Sequence, residues 1–119
     1  MQLIAIDDIG AFAALVFAGP GRYLGQAIEI TGDRLTAPQI ADALSAAAGR
    51  PIPHTQIPLE TLWEHAPEAA KVFTWANERY FDTDLTPLRH AHPGLMDFAV
   101  WLNRTGQARL LAQLESTPA

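Results

Sequence analysis

Apolar side chains in the first part of the chain recur at helical spacing. The pattern predicts a helix over residues 9–18, preceded by residues 3–6, a short apolar run that suits a strand or the start of a core segment. Asp7 or Asp8 is a plausible N-cap for this helix, since a carboxylate accepts the unpaired amide hydrogens of a first turn. Gly19, Pro20 and Gly21 end it. The apolar positions concerned are Ile9, Phe12, Ala13, Val16 and Phe17.

The middle of the chain alternates between strand-like and helix-like patterns. Residues 27–31 are apolar and β-branched, which predicts a strand. Thr36 and Gln39 form a capping-box pattern that opens a helix, and Gly49 is a natural end for it. Residues 51–58 suit a second strand, although their three prolines confine that strand to a sheet edge.

The remainder of the chain is predicted to be helical. Short helices are expected over residues 59–65, from Pro67 onward, and from Thr83 or Asp84 through Leu88. A loop over residues 90–94 then leads to a last helix, which Gly106 interrupts. The fold class is therefore α/β, in the form of an α+β-like fragment with two or three short strands, too few for a doubly wound sheet. We expect a single domain, residues 1–119, with a mixed part (1–58) and a helical part (59–119).

Composition removes several classes of function. The net charge is −5 and there is no cysteine, so we expect no nucleic-acid partner, no disulfide framework and no thiolate metal site. The N-terminal residues lack the basic segment of a signal peptide, and no apolar run approaches the roughly 18 residues that cross a bilayer. The expectation is a cytoplasmic protein without a membrane partner. High alanine and arginine content beside a single lysine, Lys71, favours a bacterial source.

A family resemblance emerges from four segments taken in order. The chain resembles NmrA-like proteins, a branch of the atypical short-chain dehydrogenases, from residue 2 to about residue 104. The segments are residues 4–14 (IAIDDIGAFAA), residues 24–36 (LGQAIEITGDRLT), the helix end at residues 49–51 (GRP), and residues 92–98 (HPGLMDF) followed by Trp101 and Leu102.

The resemblance implies a position within the family. The matched segments are similar to the portion C-terminal to the dinucleotide-binding part, which in this family supplies the last strands of a Rossmann-type sheet and a small helical subdomain over the substrate cleft. Met1 would then stand near the middle of a full-length member. NADP is the cofactor that the resemblance implies for full-length relatives, and we expect no cofactor to be bound by this chain alone.

Candidate catalytic and metal-binding motifs have simpler explanations. The glycines of residues 19–25 follow a helix and lead to a strand, which is the reverse of a nucleotide-binding turn. The Tyr-x-x-x-Lys pair of short-chain dehydrogenases is missing. A zinc site at His90 and His92 would need a third protein ligand, and N-capping explains Asp7 or Asp8 better than a carboxylate pair does. We therefore expect no catalytic or metal-binding residues and no self-sufficient enzyme.

Aromatic side chains of the helical half are the remaining candidates. Core packing is the simpler interpretation, and a ligand pocket or subunit interface is the functional one. The candidate residues are Trp63, Phe73, Trp75, Tyr80, Phe81 and Trp101.

Two functions follow as hypotheses. The first is a non-catalytic, substrate-side module that binds a small ligand or another protein. The alternative is a fragment of an NADP-dependent reductase or redox-sensing regulator, whose nucleotide domain is missing or is supplied by another chain. In either case we expect an uncovered apolar surface to be buried by a partner domain or by homodimerisation, through the sheet edge or the first helix.

Overall fold

The computed structural model describes residues 1–79 and 82–116, which form mainly helices and one small two-stranded sheet. Its strands are β1 (Gln2–Leu3) and β2 (Asp33–Arg34). A π-helical segment (Leu102–Gly106) joins the last two helices. The helices are α1 (Ile6–Ala18), α2 (Pro20–Tyr23), α3 (Ala37–Ala48), α4 (Leu59–His65), α5 (Pro67–Glu78), α6 (Leu85–Ala91), α7 (Phe98–Trp101) and α8 (Gln107–Ser116).

The sheet ties the first residues of the chain to the segment before α3. Strands β1 and β2 are antiparallel, with Gln2 opposite Arg34 and Leu3 opposite Asp33. The hydroxyl of Thr31, which is 1% exposed, donates to the carbonyl oxygen of Leu3 at 3.1 Å. These bonds place the turn between β1 and α1 beside residues 31–33.

The predicted strand at residues 27–31 is wrong, and so is the edge strand at residues 51–58. Both segments lack regular secondary structure. A strand needs a hydrogen-bonded neighbour, and β-propensity does not supply one. The ladder partner of Leu3 is Asp33, which lies beyond the predicted strand. Pro51, Pro53 and Pro58 cannot donate to a ladder at all.

Helix α3 forms as its capping signals predict. The Gln39 amide donates to Thr36 Oγ1 at 3.3 Å, and the Thr36 amide donates to Gln39 Oε1 at 2.8 Å. Gly49 closes the helix with φ +66°, a left-handed conformation that glycine adopts without steric cost. The capping box and the C-terminal glycine are both confirmed.

Helix α1 begins earlier than predicted, and the predicted N-cap is wrong. Ala5 occupies the N-cap position and no side chain caps the helix, while Asp7 and Asp8 lie in its first turn. Asp8 is 3% exposed, because its carboxylate turns inward to partners from the other end of the chain.

The second half is helical as predicted, with two differences in detail. Helices α4 and α5 begin at Leu59 and Pro67, and Asp84 caps α6 by accepting from the Thr86 amide at 2.9 Å. Helix α6 extends to Ala91, so His90 belongs to it and not to a loop. The interruption of the last helix is a π-helical segment ending at Gly106.

The chain is extended, with a small core. Its radius of gyration is 17.4 Å, whereas a compact domain of this length has about 13.5 Å. Among the described residues, the buried apolar side chains are Phe12, Ala70, Leu88 and Leu102, and many large apolar side chains are exposed. Much apolar surface therefore remains available for contacts outside the chain.

Candidate functional site

A cavity of 310 Å³ lies between the β1–α1 turn and the last helix. One side is formed by residues 3–7, another by residues 96–98, and the third by Trp101, Thr105 and Arg109. We call it the Trp101 cavity. Its volume is at the lower end of the range of about 300–1,000 Å³ for small-molecule sites.

An aromatic pair forms the apolar wall of the Trp101 cavity. The rings of Phe98 and Trp101 are stacked, with centroids 5.8 Å apart and an interplanar angle of 17°. Gly106 is buried, and a Cβ there would overlap the Trp101 ring. Glycine at this position therefore allows the indole to lie directly against the helix backbone.

Two carboxylates fix the backbone of this wall. Asp97 caps α7, its Oδ1 accepting from the Val100 amide at 2.8 Å. Asp33 Oδ2 accepts from the Phe98 amide at 3.0 Å. Since both acceptors are charged, these hydrogen bonds are stronger than neutral ones. The aromatic pair is thus held in place by the sheet and by its own helix cap.

A third carboxylate, Asp8, anchors the segment that precedes the wall. Its Oδ2 accepts from the Met96 amide at 3.0 Å, and its Oδ1 lies 2.8 Å from His92 Nε2. The Phe12 ring contacts His92 in an edge arrangement with centroids 5.6 Å apart. Asp8 and His92 therefore connect α1 to residues 92–96, an arrangement that the local capping and loop interpretations of the two residues did not predict.

The two histidines of the candidate metal site point to different places in the structure, and so do the two aspartates of the candidate carboxylate pair. Asp7 is exposed and lines the Trp101 cavity, whereas Asp8 points into the interior. His90 is exposed on α6, while His92 is bonded to Asp8. Within residues 1–79 and 82–116, no group of three or more His, Cys, Asp or Glu side chains is placed to hold a metal ion.

Three charged side chains line the Trp101 cavity. Asp7 lies in the first turn of α1, where the helix dipole favours a negative charge, and Asp97 caps α7. Arg109 forms no hydrogen bond or ion pair with the described part of the chain. It shares one helix face with Thr105 and Trp101 at spacings of four residues. The positively charged group on the wall of the cavity is therefore the Arg109 guanidinium.

A second, more open space lies between α1, residues 26–30 and α6. This α1–α6 groove has a volume of 780 Å³ and mostly apolar walls, including Phe12 and Leu88. At one end Thr83 Oγ1 donates to Glu29 Oε2 at 2.8 Å. Asp84 also lines the groove, and hydrogen bonds from the Thr86 amide and hydroxyl lower the pKa of its carboxyl.

The structure distributes the predicted aromatic residues over different places. Three of them are about half exposed: Trp63 on α4, and Phe73 and Trp75 on α5. Phe73 lines a cavity of 700 Å³ beside the sheet, and the Arg79 guanidinium lies 5.2 Å from the Trp75 ring centroid. Trp101 lines the cavity named after it. Tyr80 and Phe81 fall outside the described residues, and a shared pocket or interface for the set stays a prediction.

Sequence reasoning did not identify the polar residues that line the cavity together with Trp101. Thr105 and Arg109 follow it at intervals of four residues, a spacing that would have placed all three on one helix face. Asp7 and Met96 carried no such local signal, because they reach the cavity through contacts between distant segments.

The sequence model of the NmrA-like family matches residues 1–93. The chain therefore belongs to the NmrA-like family, and its mainly helical structure with a small sheet is compatible with part of such an α/β protein. No curated protein matches the chain. Members of this family typically bind NAD(P).

Neither the β1–α1 turn nor the Gly19–Gly21 segment fits a dinucleotide. A pyrophosphate site needs a glycine-rich turn between a strand and a helix, with free amides directed at the phosphates. The β1–α1 turn contains no glycine, and Asp7 and Asp8 place negative charge in the first turn of the helix. In the Gly19–Gly21 segment, Pro20 has no amide hydrogen and the Gly19 amide donates to the Leu15 carbonyl.

Proposed function

We propose that the chain is the substrate-side portion of an NmrA-like protein and that it binds a small ligand in the Trp101 cavity. The cavity itself carries the proposal, because it combines an aromatic wall, a backbone fixed by carboxylates and a guanidinium without an ion-pair partner among the described residues. Preorganised walls reduce the entropy lost on binding. No reaction is assigned to the chain alone.

The lining indicates the class of ligand. Stacked Phe98 and Trp101 favour a flat apolar or aromatic body. Arg109, assisted by the Thr105 hydroxyl, favours a carboxylate or carbonyl group, since a guanidinium presents paired donors that match such acceptors. The proposed ligand is therefore a small aromatic or apolar acid, ketone or amide.

Saturation-transfer NMR tests the proposal with benzoate, benzamide and benzylamine as probes. We expect transfer to benzoate and benzamide, and weaker transfer to benzylamine. Arg109→Gln should weaken benzoate binding about tenfold, the low end for a hydrogen bond to a charged group. Arg104→Gln is the matched control, because Arg104 is exposed on the adjoining π-helical segment but does not line the cavity. Absence of transfer to all three probes would overturn the proposal. An equal loss of benzoate affinity in Arg109→Gln and Arg104→Gln would overturn it as well.

Family membership supports the second candidate, a fragment of an NADP-dependent reductase or redox-sensing regulator. In that case a separate nucleotide domain, carried elsewhere, would complete the site. Titration calorimetry of the chain with NADPH separates the two proposals. Heat of NADPH binding by the chain alone would contradict the cofactor-free module and the misfit described above.

Two further expectations remain predictions. Within residues 1–79 and 82–116 the longest helices are too short or too polar to cross a bilayer. The cytoplasmic location and the bacterial source stay proposals that rest on the sequence.

A further inference from the structure

Helix α1 presents an exposed apolar stripe to solvent. Ile6 is 80% exposed and Phe17 is 85% exposed. Gly10 and Ala13 lie between them and are also exposed, and a Cβ at Gly10 would meet no atom within 4 Å. The four residues are separated by intervals of four, three and four, which is the spacing of a helix–helix seam. We call these residues the α1 stripe.

The chain exposes more surface than a compact protein of its mass, enough to be buried by a partner of substantial size. Its accessible surface amounts to 8791 Å², whereas a compact protein of this mass exposes about 6,300 Å². The excess of about 2,500 Å² is larger than the roughly 800 Å² that each partner buries in a standard interface. The excess surface is therefore large enough for an interface of standard size centred on the α1 stripe.

We propose that the α1 stripe binds the same stripe of a second copy of this chain, with the two helices antiparallel about a two-fold axis. The order of side-chain sizes along the stripe is large, small, small, large. In an antiparallel pair, Ile6 packs against Phe17 of the partner subunit, and the small residues meet at the centre. Gly10 and Ala13 there allow a close crossing, within the usual interaxial distance of about 8–10 Å.

Charge selects the antiparallel orientation. Asp7 lies exposed at the start of α1, and Arg22 lies exposed in α2 just beyond its end. Asp8 is buried against His92, and the rest of α1 carries no charge. An antiparallel pair brings Asp7 towards Arg22 of the partner subunit, twice by symmetry, whereas a parallel pair would oppose Asp7 to Asp7 of the partner subunit. A self-complementary patch of this kind fits the isologous contact of a two-fold dimer.

Sedimentation velocity at micromolar concentration tests the proposal on the full chain. We expect a species of twice the 12.9 kDa chain mass, and a monomer for Phe17→Glu. Val72→Glu on α5 is the matched control, because Val72 is 60% exposed and lies outside the stripe, so this variant should remain dimeric. Circular dichroism should show unchanged helix content in both variants, as expected for exposed positions.

Charge reversal distinguishes a second copy from another occupant. Asp7→Arg and Arg22→Asp should each raise the dissociation constant several-fold, and the double variant should restore it. A monomeric parent chain would overturn the proposal and would leave a separate nucleotide domain or another apolar partner as the occupant. A dimer that survives Phe17→Glu, or a double variant that is no tighter than the single ones, would overturn it equally.

Discussion

His92 Nε2 lies 2.8 Å from Asp8 Oδ1, although the two residues are 84 positions apart. Because an ionised carboxylate only accepts hydrogen bonds, the imidazole donates. Asp8 also accepts from the Met96 amide, so one buried carboxylate fixes both the start of α1 and the segment that leads to the aromatic wall.

Asp8→Ala should lower the free energy of unfolding by about 3 kcal/mol, since it leaves two partly buried donors, His92 Nε2 and the Met96 amide, without their acceptor. Urea denaturation followed by circular dichroism measures the change. Asp7→Ala is the control, because Asp7 is exposed at the neighbouring position. At concentrations that keep the chain monomeric, this substitution should cost no more than about 0.5 kcal/mol. Equal losses in the two variants would show that the contacts of Asp8 do not stabilise the fold.

Asp8 illustrates which features could be predicted from the sequence. Helix α3 was predictable because its capping box and terminal glycine act within a few residues. Asp8 has the same local signal for an N-cap, yet its partners come from residues 92–96. Its role depends on contacts between distant parts of the chain, and a single sequence gives no sign of such contacts.

The same distinction between local signals and long-range contacts applies to the candidate site. Trp101 was identified from its aromatic character and helical spacing. Its cavity could not be predicted, because the opposite wall comes from residues 3–7, held there by pairing with β2. The strand predicted at residues 27–31 failed for a related reason: the pairing of Leu3 with Asp33, not residue preference, decides where the ladder forms.

Gly32 provides a second test of this long-range packing. Gly32 is buried, and a Cβ on it would collide with the Met96 carbonyl oxygen. Gly32→Ala should therefore lower the free energy of unfolding by about 1–3 kcal/mol, the usual cost of overpacking. Thermal denaturation measures the effect. Gly21→Ala is the matched substitution, since a Cβ there meets no atom within 4 Å and should leave the stability unchanged or slightly higher.

Asp84 makes the stability of α6 depend on pH. Its pKa is lowered by hydrogen bonds from the Thr86 amide and hydroxyl, so the folded state favours the charged form. The stabilising contribution is complete above the carboxyl pKa of the unfolded chain and is lost as the pH falls through the lowered value. Asp84→Asn keeps an N-cap acceptor without the charge. The stability difference between parent and variant, measured by urea denaturation, should shrink on acidification below the ordinary carboxyl range. A constant difference would contradict this role.

Gly106 tests whether the position of the Trp101 ring determines the cavity. A Cβ at Gly106 would overlap the indole, so Gly106→Ala should displace the ring and cost about 1–3 kcal/mol of stability. The near-ultraviolet circular dichroism of the indole should change, and benzoate binding should weaken. Gly10→Ala is the same substitution at an open helical position and should stabilise α1 by about 0.5–1 kcal/mol. Both variants are compared at concentrations low enough to keep the chain monomeric. If Gly106→Ala bound benzoate as tightly as the parent, benzoate binding would not depend on the stacked wall. The Trp101 cavity would then no longer be the proposed ligand site.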